Sequence, residues 1–169
     1  WIELFKEFKF VNIICSIDGV GNTFEYIRHP ANWNDVNTKL QKLSEVQTTQ
    51  IVTAITFTLQ AYNILEIKNM VELSKKYNFN INVIALDTPA YLDVRNVPQN
   101  LKDAALDMID TLEKQFDPNM FSKFLTNIKN KINQPQQVDI TDEFLKVTRL
   151  KDTYKNQSFD TLEIARYYD

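Results

Sequence analysis

Residues 11 to 21 read Val-Asn-Ile-Ile-Cys-Ser-Ile-Asp-Gly-Val-Gly, an apolar run that ends in a polar turn. The apolar part, residues 11 to 17, is rich in β-branched side chains, which predicts a strand buried on both faces, as in a parallel sheet. The two glycines of the chain, Gly19 and Gly21, follow directly after Asp18. Because glycine adopts positive φ and lets a ligand approach the backbone closely, this turn is the first candidate for a site.

Two more strands are predicted downstream, and helical patterns separate them. Residues 50 to 60 place Ile, Val and Phe among threonines, and residues 81 to 86 form a second β-rich run. Residues 33 to 46 and 64 to 77 carry apolar side chains at helical spacing. Alternating helices and strands predict an α/β fold with parallel pairing, which is either part of a doubly wound sheet or part of a barrel.

The pattern changes after residue 97. Proline opens a predicted helix at Pro98 and another at Pro118, and a third helix is predicted from Thr141. We therefore divide the chain into residues 1–97, the βα units, and residues 98–169, a helical C-terminal extension.

Composition excludes several classes of site and partner. The 169 residues carry a net charge of -3, with a pI near 5.3, and show no basic footprint for nucleic acid or an anionic membrane. Neither a long apolar span nor a leader sequence is recognisable, so a cytoplasmic protein is expected. Cys15 is the only cysteine and His29 the only histidine, which excludes a disulfide within the chain and any metal site that needs several thiolates or imidazoles.

The first residues suggest a longer coding sequence. Residues 1 to 9 have apolar side chains at helical spacing but no initiator methionine and no cap. We expect an open reading frame that continues upstream of Trp1, and sequencing of the upstream DNA tests this expectation.

Three polar side chains are predicted to converge at the end of the first strand. Ser16 and Asp18 alternate along the strand and so point to one face, and Arg28 can return over the same end. An arginine pairs with a carboxylate in bidentate fashion, while a hydroxyl and a carboxylate accept hydroxyl or ammonium groups. The set is suited to the amino-acid moiety of a small ligand.

These residues also carry a resemblance to a known family. The segments Ser16-Ile17-Asp18-Gly19 and Phe24-Glu25-Tyr26-Ile27-Arg28, with Trp33, Val36 and Leu40 after them, resemble the fourth-strand region of radical S-adenosylmethionine enzymes, closest to members with SPASM or twitch-type extensions. The resemblance implies a partial (βα)6 TIM-like barrel. It also implies contacts of Ser16 and Arg28 with the carboxylate of S-adenosylmethionine, a cavity bordered by Asp18 and Gly19, and a place near the cofactor for Asn63.

The departures from the family are large. The Cys-x3-Cys-x2-Cys segment that holds the [4Fe–4S] cluster is missing, and the chain has no second cysteine for an auxiliary cluster. We expect a fragment of a radical S-adenosylmethionine enzyme that modifies a peptide, protein or small substrate, is inactive alone, and depends on an N-terminal part for its cluster.

Two other functions stay open. One is a phosphotransfer-like α/β domain that uses Asp18 as nucleophile, with the glycines cradling phosphate, although no second acid stands two residues after Asp18. The other is a non-catalytic protein-interaction module whose surface is the helical region 98–150.

Overall fold

The strands form one open parallel sheet. The protein is represented by a computed structural model that describes residues 2–116, 118–136 and 138–168. The strands β1 (Val11–Ser16), β2 (Ile51–Leu59) and β3 (Asn80–Ala85) are neighbours in the order in which they occur in the chain. Both pairs are parallel. The predicted α/β class and parallel pairing are confirmed, and the three strands do not close into a barrel within the described ranges.

Seven helices accompany the sheet in the described part of the chain. They are α1 (Ile2–Phe5), α2 (Gly21–Ile27), α3 (Trp33–Glu45), α4 (Ile67–Tyr77), α5 (Gln99–Gln115), α6 (Pro118–Ile132) and α7 (Thr141–Lys155). Short 3-10 turns occupy Ala61–Asn63, Ala90–Leu92, Val94–Asn96, Phe159–Thr161 and Glu163–Tyr167. The helices predicted after Asn32, Pro98 and Pro118 are confirmed. Asn32 caps α3 through its side-chain oxygen, which accepts from the backbone N–H of Asp35.

Three elements differ from the sequence prediction. The first helix spans four residues rather than 1–9, and Trp1 lies outside the described residues. The helix α7, which the apolar pattern predicts as a short helix, extends to Lys155 and is followed by Asn156, whose left-handed backbone is a common helix stop. The helix α2 was not predicted, because its first turn is held by a carboxylate from a distant part of the chain, as described below.

In the described part of the chain, helices cover one face of the sheet. On that face lie Ile55, Phe57 and Leu59, all fully buried. The ring of Phe57 lies 6.2 Å from the ring of Phe124 on α6, so the C-terminal helices share one hydrophobic core with the sheet. The division of the chain near residue 97 stays a prediction.

We call the other side of the sheet the open face. It carries Asn12, Ile14 and Ser16 of β1, Val52, Ala54, Thr56 and Thr58 of β2, and Asn80, Asn82 and Ile84 of β3. Ile14 is 62% exposed and Ile84 is 59% exposed. The prediction that the first strand is buried on both faces is therefore wrong. Helices pack on one side of β1, whereas its apolar composition is typical of a strand covered on both.

Candidate functional site

The turn after β1 has the backbone that its glycines suggested. Gly19 has φ +147 and Gly21 has φ +51, both in the region that favours glycine. A Cβ atom at Gly19 would lie 3.1 Å from Cγ2 of Thr23 and 3.2 Å from Cγ of Glu66. Both the backbone conformation and the neighbouring side chains therefore require glycine at position 19. This turn fixes the position of Asp18, which directly precedes it.

Asp18 and Arg28 form an ion pair at this turn. The Nε atom of Arg28 donates to Oδ2 of Asp18 at 2.6 Å. The other carboxylate oxygen, Oδ1, accepts from the backbone N–H of Thr58, near the carboxyl end of β2, at 3.1 Å. Asp18 is only 2% exposed, whereas the side chain of Arg28 is 41% exposed. Both carboxylate oxygens of Asp18 therefore accept hydrogen bonds from the protein, and the carboxylate orients the guanidinium of Arg28.

That guanidinium belongs to a side chain that is partly exposed. Within the described ranges, the Nη1 and Nη2 atoms of Arg28 have no hydrogen-bond partner. Two parallel N–H donors on a planar fork bind a carboxylate or a phosphate oxygen pair. The geometry at the end of β1 can therefore bind an oxyanion through Arg28.

Asn63 ties the ends of β1 and β2 together. Its Nδ2 donates to the backbone oxygen of Asp18 at 3.0 Å and to that of Thr58 at 2.9 Å. Its Oδ1 accepts from the backbone N–H of Gln60 at 2.8 Å. Asn63 is fully buried, and its side-chain amide forms hydrogen bonds with the backbone after β1 and with the backbone at the end of β2.

Glu66 holds the start of α2 from across the molecule. Its carboxylate accepts from the backbone N–H of Val20 at 3.0 Å and from the hydroxyl of Thr23 at 2.8 Å. Negative charge at a helix N-terminus is stabilising, and in a capping box the acid comes from within the helix itself. Here the acid lies 46 residues away, which is why the local sequence carried no signal for α2.

Ser16 lies apart from this network. It is exposed on the open face, and no hydrogen bond joins it to Asp18 or Arg28 within the described residues. The strand ends at Ser16, so the alternation that was expected to carry both side chains to one face does not extend to Asp18. The structure thus brings Asp18, Gly19, Arg28 and Asn63 together, with Ser16 beside them on the exposed sheet surface.

A groove lies at the end of the sheet opposite the turn after β1. It has a volume of about 580 Å³ and is lined by residues such as Val52, Asn80 and Met120, near the amino ends of β2 and β3. Ligands of parallel α/β sheets bind at the carboxyl ends of the strands, so we assign the site by the turn and not by this groove.

An aromatic cluster that the sequence did not indicate adjoins the turn. The ring of Tyr62 lies 5.2 Å from the ring of Tyr26 and 5.2 Å from that of Phe144. The hydroxyl of Tyr26 donates to Asp152 at 2.9 Å. Burial and then this hydrogen bond raise the pKa of Tyr26, and burial raises the pKa of Tyr62. The rings are packed as core and fasten α7 to the site.

Two searches of the described residues gave negative results. No three His, Cys, Asp or Glu side chains come together there as a group that can hold a metal ion. None of the described helices is long and apolar enough to cross a membrane.

Comparison of the chain with protein-family models, with curated proteins and with solved structures finds no match. The assignment of function therefore rests on the residues and geometry of the site.

Proposed function

We propose that this chain is the C-terminal portion of a radical S-adenosylmethionine enzyme, folded as part of a (βα)6 barrel, and that it binds the amino-acid end of S-adenosylmethionine. The observation that carries the proposal is the Arg28 guanidinium, which Asp18 orients through Nε while its two Nη groups have no hydrogen-bond partner among the described residues. Arg28 pairs with the carboxylate of the ligand, and Ser16, at the end of β1 on the open face, supplies a hydroxyl.

The one-sided sheet supports the barrel part of the proposal. In a barrel of parallel strands, helices cover the outer face and the inner face lines the interior. The open face, with exposed Ile14 and Ile84, corresponds to such an interior. A half of a doubly wound sheet also carries its helices on one face, so this support is weaker than that of Arg28.

Asp18 and Asn63 act as positioning residues in this proposal. Both oxygens of the Asp18 carboxylate accept hydrogen bonds from the protein, and the Asn63 amide forms hydrogen bonds with three backbone groups. They set the angle of Arg28 and the shape of the turn rather than contact the ligand. The same geometry speaks against Asp18 as a phosphotransfer nucleophile, because a nucleophile needs an open oxygen.

The residues of this chain fit the two implied cofactors differently. S-adenosylmethionine fits through Arg28 and Ser16, and when bound it supplies the 5′-deoxyadenosyl group used in radical chemistry. The [4Fe–4S] cluster does not fit, because such clusters are held by several cysteine thiolates. Cys15 is the single cysteine, and it packs partly against the core on the helix-covered side of β1. No step of the reaction is assigned to this chain.

A binding experiment tests the proposal without catalysis. Isothermal titration of the chain with S-adenosylmethionine should give saturable binding that free methionine competes for and adenosine does not, because only the amino-acid end is placed on this chain. Arg28→Gln should weaken the affinity by about tenfold or more, the value of one charge-assisted pair.

The matched control is Arg166→Gln, an exposed arginine that forms an ion pair with Glu163 on the last described turn. It should leave the affinity unchanged. Binding that is equal in Arg28→Gln and Arg166→Gln, or the absence of saturable binding in the unmodified chain, would refute the proposal.

A further inference from the structure

A second pocket lies between α2, the turn after β2 and α7. It has a volume of about 210 Å³, and its lining includes Tyr26, Gln60, Tyr62, Leu92, Lys151 and Lys155. This is about seven times the ~30 Å³ that one water molecule occupies in the liquid. The pocket is large enough for a small organic molecule and shares no lining residue with the open face.

Two lysines of α7 share this pocket. Lys151 and Lys155 are four residues apart, so both side chains leave the helix on one side, and both are half-buried. In the part of the chain that the structure describes, neither has an ion-pair partner. Burial, and then repulsion from Lys155, lower the pKa of Lys151. Like charges at this spacing destabilise a helix, and a bound anion would remove that repulsion.

The acid next to Lys151 in the sequence forms no ion pair with either lysine within the described residues. Asp152 is the next residue after Lys151, but its Oδ1 accepts from the hydroxyl of Tyr26 and its Oδ2 accepts from the backbone N–H of Phe159. The lining residues themselves include no Asp or Glu. The positive charge of the pocket is therefore not neutralised by its own walls.

Aromatic rings hold the Lys151 ammonium in place. Its Nζ lies 5.4 Å from the ring centroid of Tyr62 and 5.4 Å from that of Tyr91. A cation over an aromatic face is attracted by the ring but keeps its N–H donors available. Two lysines on an ordinary solvated helix face lie free in water, whereas Lys151 is confined between two rings at a cavity.

We propose that this pocket binds the phosphate group of a small molecule. Lysine ammonium groups bind phosphate as point charges, and two of them match a compact dianion. No lining residue supplies the planar arginine fork that favours a carboxylate. Tyr26, Tyr62 and Leu92 form an apolar wall for the part of the molecule that carries the phosphate. The inference does not rest on the binding of S-adenosylmethionine.

Titration calorimetry on the full chain tests the inference, with inorganic phosphate, glycerol 3-phosphate and acetate as probes at matched ionic strength. Both phosphates should bind saturably. Tighter binding of glycerol 3-phosphate identifies a phosphate ester as the ligand, and equal binding identifies free phosphate. Lys151→Met and Lys155→Met should each weaken phosphate affinity by about tenfold or more, since each removes a charge-assisted contact.

The matched control is Lys146→Met, an exposed lysine on the same helix and outside the pocket. It removes the same charge and should leave the affinity unchanged. If one pocket variant fails to fold, judged by circular dichroism, the other provides the same test. The inference is overturned if neither phosphate binds saturably, if acetate binds as tightly as phosphate, or if Lys146→Met loses as much affinity as the pocket variants.

Discussion

Replacement of Asn63 by alanine should cost more stability than any exposed substitution in the chain. The side chain is fully buried and bridges the backbone of the turn after β1 and the end of β2. Asn63→Ala leaves the N–H of Gln60 and the carbonyl oxygens of Asp18 and Thr58 without this partner. Each unsatisfied buried group costs about 1–3 kcal/mol, part of which is offset because the buried amide itself is gone.

The expected net loss is about 3–5 kcal/mol in the free energy of unfolding. A domain of this size has a total stability of about 5–15 kcal/mol, so the variant should lose a large fraction of it. At roughly 2–4 °C per kcal/mol for a chain of 150 to 250 residues, this corresponds to a fall in Tm of about 6–20 °C.

Urea unfolding followed by circular dichroism measures the effect, with the slope of free energy against urea as a check on two-state behaviour. Asn130→Ala is the control, because Asn130 is exposed on α6, and it should change stability by less than about 0.5 kcal/mol. Asn63→Asp keeps the shape but turns two donors into acceptors against two carbonyl oxygens, so it should be at least as damaging. A loss under about 1 kcal/mol for Asn63→Ala, or near-native stability of Asn63→Asp, would refute the reasoning.

Two further outcomes concern the turn and the aromatic cluster. Gly21→Ala should cost about 1–2 kcal/mol, because φ is +51 although an added Cβ would meet no atom within 4 Å, and Gly21→Asn should cost less; equal stability of Gly21→Ala and the unmodified chain in urea would contradict this. The raised pKa of Tyr26 keeps its hydroxyl protonated in the folded state where an unfolded tyrosine ionises, so the folded state binds more protons above about pH 10. Stability should then fall as pH rises, by up to about 1.4 kcal/mol per pH unit for each such tyrosine, and Tyr26→Phe should make the fall shallower. Urea unfolding between about pH 10 and 12 measures this fall. If the free energy of unfolding falls equally with pH in the unmodified chain and in Tyr26→Phe, Tyr26 does not contribute to the fall.

Much of the local structure could be predicted, because its causes lie within a few residues of one another. The proline starts of α5 and α6, the cap of α3 at Asn32 and the two glycines after Asp18 all act through backbone sterics or short-range hydrogen bonds. The alternation of apolar runs and helical patterns was enough to predict parallel strands.

The partners of the site residues could not be predicted in the same way. That Arg28 approaches Asp18 was expected, but not that the carboxylate would also accept from the N–H of Thr58, 40 residues further on. The start of α2 was missed because its acid, Glu66, comes from the beginning of another helix. The placement of Lys151 and Lys155 in one pocket with Tyr62 was not predicted either, because it depends on how α7 packs.

The amino-acid sequence was sufficient to predict three parallel strands, the helices after Asn32, Pro98 and Pro118, the turn after β1 and the limits set by one cysteine and one histidine. These properties follow from backbone geometry and composition, which a short window of residues contains. The folded structure was needed to show that one face of the sheet is open, that buried Asp18 orients Arg28, and that the lining of one pocket holds two lysines but no Asp or Glu. Those features depend on which distant surfaces pack together, and burial then assigns each polar group the partner that lies within hydrogen-bond distance.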